Sequence, residues 1–398
     1  MYILSRVVAN EKTVLMEQEF LPFTTPTIGE DVLNEVRACL TSGWIATGPR
    51  VQQFEQDVKA YTKASNAIAV NSATSGLHLA LVACGVQPGD EVITTPLTFV
   101  STVNVIEHAG GRPVFVDIEP GTYNIDAEKI RQAITPRTKV IMPVHFAGLP
   151  VDLDPIYELA RAHGIRVIED AAHAIGASYK GRSIGSFGDI QVFSFHPCKN
   201  MTTGEGGVLT VQDDAMAARM RTLRFHGIDR DSWNRYGKNG SQTFDVIEAG
   251  FKYNMSDLQA AIGIPQLKQL DVMNQSRLRL VKRYQEALAG WQQVSLPQSP
   301  DYEYFHPWHI FTILITDDSP LNRDGFMEAL KQKNIGTGLH YPVIHLYTYY
   351  RNKYGYRPGD FPIAENVASR IVSLPLFAHM TEAQQNRVLD AMTKVLNQ

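Results

Sequence analysis

The chain has 398 residues, 44 % of them hydrophobic, enough to bury a large core and long enough to suggest two domains rather than one. A formal net charge of −4 offers no basic field, which disfavours nucleic acid and anionic membranes as partners. Three cysteines (Cys39, Cys84, Cys198) are too few for a disulfide framework and point to a reducing, cytoplasmic setting, and no apolar run approaches bilayer-spanning length.

Residues 1–18 form an N-terminal extension. Met1–Lys12 has too short an apolar core and the wrong charge order for a secretory signal, and Met16 is a second candidate start. Val32, Val36 and Leu40 fall at helical spacing, Gly43 closes that helix, and Trp44–Pro49 is expected as an extended loop. Ala67–Val70 reads as a strand, Asn71–Gly76 as a polar turn, and Leu77, Ala80, Leu81 and Cys84 as a helix face. Backbone N–H groups and hydroxyls at such a helix start suit a phosphate, although an ordinary capped helix explains these residues equally well.

Apolar strand candidates then alternate with helical segments: Glu91–Thr95, Pro113–Asp117, Val140–His145, Val167–Asp170, Ile190–Phe195 and Val208–Val211. With Ala67–Val70 they make seven strands, the pattern of a mostly parallel α/β sheet covered on both faces. Ligands sit outside the carboxyl ends of such strands, so Asp170 and Lys199 are expected to converge on one crevice. A desolvated lysine loses its proton more readily and becomes a nucleophile able to form Schiff bases. A buried aspartate needs a partner, and a protonated pyridine nitrogen is one; a helix N-cap would also account for Asp170. Cys198 reads as a small buried packing residue.

From Ala215 to Phe251 an irregular basic excursion is expected (Arg219, Arg221, Arg224, Arg230, Arg235, Lys238), either a solvated surface or an edge for a substrate diphosphate. A long helix over Ser256–Leu288, broken or kinked at Pro265, carries the domain boundary, giving a large domain (19–262) and a smaller α+β domain (263–398). In the latter, strands are expected at Trp308–Ile315 and Gly336–Tyr341, and helices at Arg323–Lys333 and Thr381–Leu396. Pro307 disfavours the helix that would align His306 and His309, no cysteine or carboxylate completes a set, and no metal site is expected. No strand is followed by Gly-x-Gly-x-x-Gly, so a nicotinamide enzyme lacks its fingerprint, and a Walker loop is also absent.

Three motifs in order, the small-residue phosphate turn, Glu169-Asp170-Ala171-Ala172-His173, and Phe193-Ser194-Phe195-His196-x-x-Lys199 with Glu205-Gly206-Gly207 behind it, resemble the DegT/DnrJ/StrS sugar aminotransferases. The likeness runs from about Phe20 to the C-terminus and includes Gly43–Pro49, Thr98–Thr102, Tyr253–Asp257, Gly336–Tyr341 and Ser373–Phe377. It implies fold type I of the pyridoxal-phosphate enzymes and a ping-pong transamination. Lys199 would carry the cofactor and then move the proton, while Asp170 would keep the pyridine nitrogen protonated. By the same likeness Ala73, Thr74, Ser75 and Ser194 hold the phosphate, Phe99 stacks on the ring, and His173 stands beside the phenolic oxygen. Asn254 would reach the phosphate of a neighbouring subunit, making a homodimer with shared active sites. Trp44 and His340 are implied contacts to a nucleotide sugar, expected to be a UDP-linked 4-ketosugar aminated by glutamate. Relatives that dehydrate the sugar carry histidine in place of this lysine, so Lys199 argues against that branch.

Overall fold

The computed structural model describes residues 19–228 and 244–396. The N-terminal extension and Arg230, Arg235 and Lys238 therefore lie outside the described residues. The chain opens with α1 (Glu30–Thr41) and α2 (Pro49–Thr62), and then strand and helix alternate: β1 (Asn66–Val70), α3 (Ala73–Ala83), β2 (Glu91–Thr94), α4 (Val100–His108), β3 (Arg112–Phe115), α5 (Ala127–Ala133), β4 (Thr138–Ile141), α6 (Leu153–His163) and β5 (Arg166–Asp170). A small hairpin, β6 (Ser178–Tyr179) and β7 (Arg182–Ser183), precedes β8 (Ile190–Ser194), β9 (Gly207–Val211) and α7 (Asp214–Leu223).

All seven expected strands join one sheet in the order β1-β9-β8-β5-β4-β2-β3. Its pairings are parallel from β8 through β3, and β9 alone runs against the rest, between β1 and β8. Alternate residues of each strand enter two separate cores. Ala69, Ile141, Val167, Phe193 and Val208 pack on one face, and Ile68, Val140, Ile168, Val192 and Leu209 on the other. With both faces covered, near-continuous apolar runs are what the strands require.

The excursion expected from Ala215 begins instead as a regular helix. Asp213 caps α7 through the Met216 amide, and Ala217, Met220 and Leu223 bury one face. Its arginines are used internally: Arg219 pairs with Glu248 at 2.7 Å, Arg221 donates to the Ala67 carbonyl, and Arg224 pairs with Glu55 while donating to Ala69 O.

Helix α8 (Asp257–Leu288) runs 32 residues without interruption through Pro265, contrary to the expected break. Packing outweighs the lost bond, because Pro265 and its neighbours Ala261, Ile264 and Leu267 are buried, Ile264 and Leu267 against the large core. The core that α8 serves changes between Met273 and Leu280, beyond the expected division at 262/263.

The remainder comprises β10 (Val294–Ser295), β11 (Tyr304–Phe305), β12 (Phe311–Ile315), α9 (Arg323–Gln332), α10 (Thr348–Tyr354), α11 (Pro362–Arg370), β13 (Ile371–Leu374) and α12 (Glu382–Leu396). A three-stranded antiparallel sheet, β10-β12-β13, centres the small-domain core, whereas β11 leaves to join β6. Gly336–Tyr341 is not a regular strand; one bridge ties Gly338 to Ser373. Leu21, expected in the large domain, packs into the small-domain core beside Ile335.

Candidate active site

A cavity of about 650 Å³ opens where β1, β5 and β8 end, within the range of small-molecule sites. Its first wall is the start of α3. Ser72 caps this helix by accepting from the Ser75 amide at 3.1 Å, while the Ala73 and Thr74 amides find no partner among the described residues. Ser72, Ala73 and Thr74 line the cavity. Ser75 does not: its hydroxyl donates to Asn71 Oδ1 and it lies buried within the cap, so Ser72 takes the place expected for it. The helix can begin this close to the sheet because residue 207 is glycine; a Cβ there would stand 2.7 Å from Ala73 N.

The second wall is the end of β5. Asp170 is 5 % exposed, and its Oδ2 accepts from Thr102 Oγ1 at 2.7 Å while Oδ1 accepts from the Ala172 amide at 3.1 Å. No helix follows, so the capping explanation for Asp170 is not met. Burial pushes its carboxyl above the usual range, and the Thr102 and Ala172 hydrogen bonds and the Lys199 charge only partly offset this. Behind it, Glu169 is fully buried and accepts from Tyr157, Gln191 and His145. His145 Nδ1 accepts from the Val151 amide, which leaves Nε2–H to donate to Glu169.

The third wall is the loop after β8. Lys199 lines the cavity with no hydrogen bond to its amine among the described residues, and burial lowers its pKa against the raising influence of Cys198 and Asp170. Asn200, buried beside it, donates to Asn274 Oδ1 on α8 at 2.7 Å and to Pro307 O at 2.8 Å, which fixes the loop. Ser194 also lines the cavity. Cys198 is not the buried packing residue expected: it is half-exposed, lines the cavity and stands 3.1 Å from His196 Nδ1.

Phe99 occupies the N-cap position of α4 at the cavity and is 56 % exposed. His173 lies inside with Nδ1 buried and unpaired, its pKa held well below the ordinary value by burial and then by neighbouring cations. From the small domain come His340, whose Nδ1 pairs with Ser373 at 2.8 Å and whose pKa burial lowers to about 4, and three residues the sequence did not mark as site residues: His309, Tyr341 and Tyr347. Thr102, which holds Asp170, also carried no assigned role. Its signal was the Thr98–Thr102 spacing, which brings the hydroxyl of Thr98, just before α4, 2.8 Å from that of Thr102 in its first turn.

Besides Ser75, two expected site residues stay away from this cavity. Asn254 borders a separate hollow of about 300 Å³ with Arg221 and Arg224. Trp44 lies near it, donating to Thr47 O at 3.2 Å, and Asn254 Nδ2 donates to Thr47 Oγ1. His306 and His309 face different neighbours: His306 stacks on Trp308 at 3.8 Å, and the His309 ring lies 4.3 Å from that of His173. No helix among the described residues is long and apolar enough to cross a membrane.

The spore coat polysaccharide biosynthesis protein SpsC of Bacillus subtilis is 45 % identical over 96 % of this chain and 99 % of its own length. Among solved structures, Spr1654 from Streptococcus pneumoniae, in its PLP form, superposes with a TM-score of 0.87 at 31 % identity, covering 95 % of this chain and 99 % of that one. The sugar aminotransferase CalS13 from Micromonospora echinospora does so with 0.84 at 30 %, covering 94 % and 99 %. A family profile matches residues 26–393, and with it this chain belongs to the DegT/DnrJ/EryC1/StrS aminotransferase family.

Proposed function

We propose that this chain is a pyridoxal-phosphate-dependent aminotransferase that moves an amino group from an amino acid to a ketosugar carried on a nucleotide. Glutamate is the donor and a UDP-linked 4-ketosugar the acceptor; another UDP-, dTDP- or GDP-linked 3- or 4-ketosugar is the alternative. Membership of an aminotransferase family supports the reaction type, the PLP form of Spr1654 the cofactor, and the names of CalS13 and SpsC the sugar chemistry. The nucleotide and the donor rest on the motif resemblance. The observation that carries the reading is the meeting of Lys199 and Asp170 at one cavity whose third side is a donor-rich helix start.

The residues present fit such a cofactor. The free Ala73 and Thr74 amides, with the Ser72 and Ser194 hydroxyls, suit a phosphate at a helix N-terminus. The exposed ring of Phe99 suits stacking. Asp170 is a buried carboxylate whose raised pKa marks the lack of a close cation, which a protonated ring nitrogen would provide. When bound, the cofactor supplies an electron sink for carbanion chemistry.

Lys199 would hold the cofactor through Nζ, and its lowered pKa keeps the amine neutral and nucleophilic more often than an ordinary lysine. As a free amine, Nζ would serve as the general acid–base group that moves a proton, a role worth about 10²–10⁴ in rate. Asp170 would keep the ring nitrogen protonated, and His173 would donate to the phenolic oxygen. His340 contacts the sugar nucleotide. Trp44 and Asn254 serve the site of a second copy in a homodimer; the exposed Leu40 and Ile45 beside Trp44, and the buried, unpaired Asn254 Oδ1, support that surface as an interface. The setting is cytoplasmic, in keeping with three unpaired cysteines. The test is a panel of ketosugar nucleotides incubated with glutamate and loaded enzyme, followed by mass spectrometry. Amination of a UDP-4-ketosugar is expected, and amination of no nucleotide-linked ketosugar would overturn the reading.

A further inference from the structure

Tyr341 reaches the cavity from the small domain and meets His173, its hydroxyl 3.1 Å from His173 Nε2. The two rings are nearly parallel, 21° apart with centroids at 6.2 Å, and Phe146 packs edge-on against Tyr341. The phenol is buried, and that burial, with the nearby Asp170 charge, raises its pKa and keeps the O–H intact. This hydrogen has no acceptor other than His173 among the described residues. A neutral imidazole has one donor nitrogen and one acceptor nitrogen.

If Tyr341 donates to Nε2, the phenol hydrogen and Nε2 are both satisfied and only Nδ1–H is left over. If Nε2–H donates instead, the phenol hydrogen and the Nδ1 lone pair are both stranded in a buried place. Each stranded buried donor or acceptor costs about 1–3 kcal/mol, so the first arrangement, which strands one group rather than two, prevails.

We infer that Tyr341 is a positioning residue that fixes His173 in the tautomer with its proton on Nδ1, reserving one N–H donor in the cavity wall for an anionic oxygen. The oxygen it serves, the phenolic oxygen of pyridoxal phosphate, rests on the function proposed above. The other titratable groups lining this cavity are Lys199, Asp170, Cys198, His196, Glu205, His309, His340 and Tyr347.

The test begins on cofactor-free protein labelled with ¹⁵N-histidine, the His173 signal being identified by its loss in His173→Asn. An Nδ1–H tautomer is expected in the unaltered chain and a mixture or the Nε2–H form in Tyr341→Phe. Nε2–H in the unaltered chain overturns the inference, and that measurement stands even if Tyr341→Phe fails to fold. In the loaded enzyme, Tyr341→Phe should move the pH midpoint of the cofactor absorbance by about one unit, a tenfold change. His173→Ala should move it as well, and the double variant no further than His173→Ala alone. A purely structural role lowers the melting temperature and leaves the midpoint in place, which counts against the inference. If no cofactor band forms on the unaltered chain, the cofactor reading fails, and the tautomer measurement still decides this inference.

Discussion

Replacing Asp170 with asparagine sets two effects of opposite sign against each other. The carboxylate takes two hydrogen bonds, from Thr102 at 2.7 Å and Ala172 at 3.1 Å. An amide offers one acceptor, so about one bond is lost, at roughly 0.5–1.5 kcal/mol. In the cofactor-free protein Asp170 has a raised pKa. An acid of that kind stabilises the fold in its protonated form, and that stability is lost as pH rises through the folded pKa. At pH 8 the neutral amide therefore relieves a buried charge, and the cofactor-free variant should melt within about 1 kcal/mol of the parent, with less loss at pH 8 than at pH 5. In the loaded enzyme the same change strips one partner from a buried charge pair, which costs about 3–5 kcal/mol. That corresponds to about 10²–10⁴ in rate. Melting curves at both pH values, with and without cofactor, run beside steady-state turnover, separate the two effects. Turnover of the asparagine variant within about threefold of the parent would refute the assignment of a cation facing Asp170.

Lys199→Ala should still bind the cofactor through the α3 start and Asp170, while turnover falls by at least about 10²–10⁴; an absorbance titration beside steady-state rates checks both. Because burial lowers the Lys199 pKa, covalent capture of the cofactor by the unaltered enzyme should quicken with rising pH and level off below the ordinary lysine value; a plateau only above it would contradict the site. Gly207→Ala places a Cβ 2.7 Å from Ala73 N and 2.9 Å from Phe193 O, both backbone atoms. It should cost about 1–3 kcal/mol and weaken phosphate affinity most, measured by thermal unfolding and inorganic phosphate competition. Mixing inactive Asn254 and Lys199 variants should restore one competent site per heterodimer, and its absence in verified heterodimers would remove the shared-site proposal.

What the sequence determined by itself is local in origin. Apolar runs such as Val140-Ile141 and Val192-Phe193, alternating with helical segments, point to strands covered on both faces and to a mostly parallel sheet with Asp170 and Lys199 expected at its carboxyl end. A polar, small-residue turn before a helix face placed free amides beside them. What only the tertiary structure decided are partners far apart in the chain. Helical spacing shows that Ser75 sits in a first turn but not that its hydroxyl is taken by Asn71, leaving Ser72 at the cavity. Pro265 reads as a break until the buried packing around it is seen to outweigh one lost hydrogen bond. Tyr341 and His173 stand 168 residues apart, and nothing periodic announces that a small-domain loop closes on the strand end. Periodicity records how deeply a residue is buried, and burial depth does not name the neighbour that shares it; that choice is made by how the two cores meet along α8.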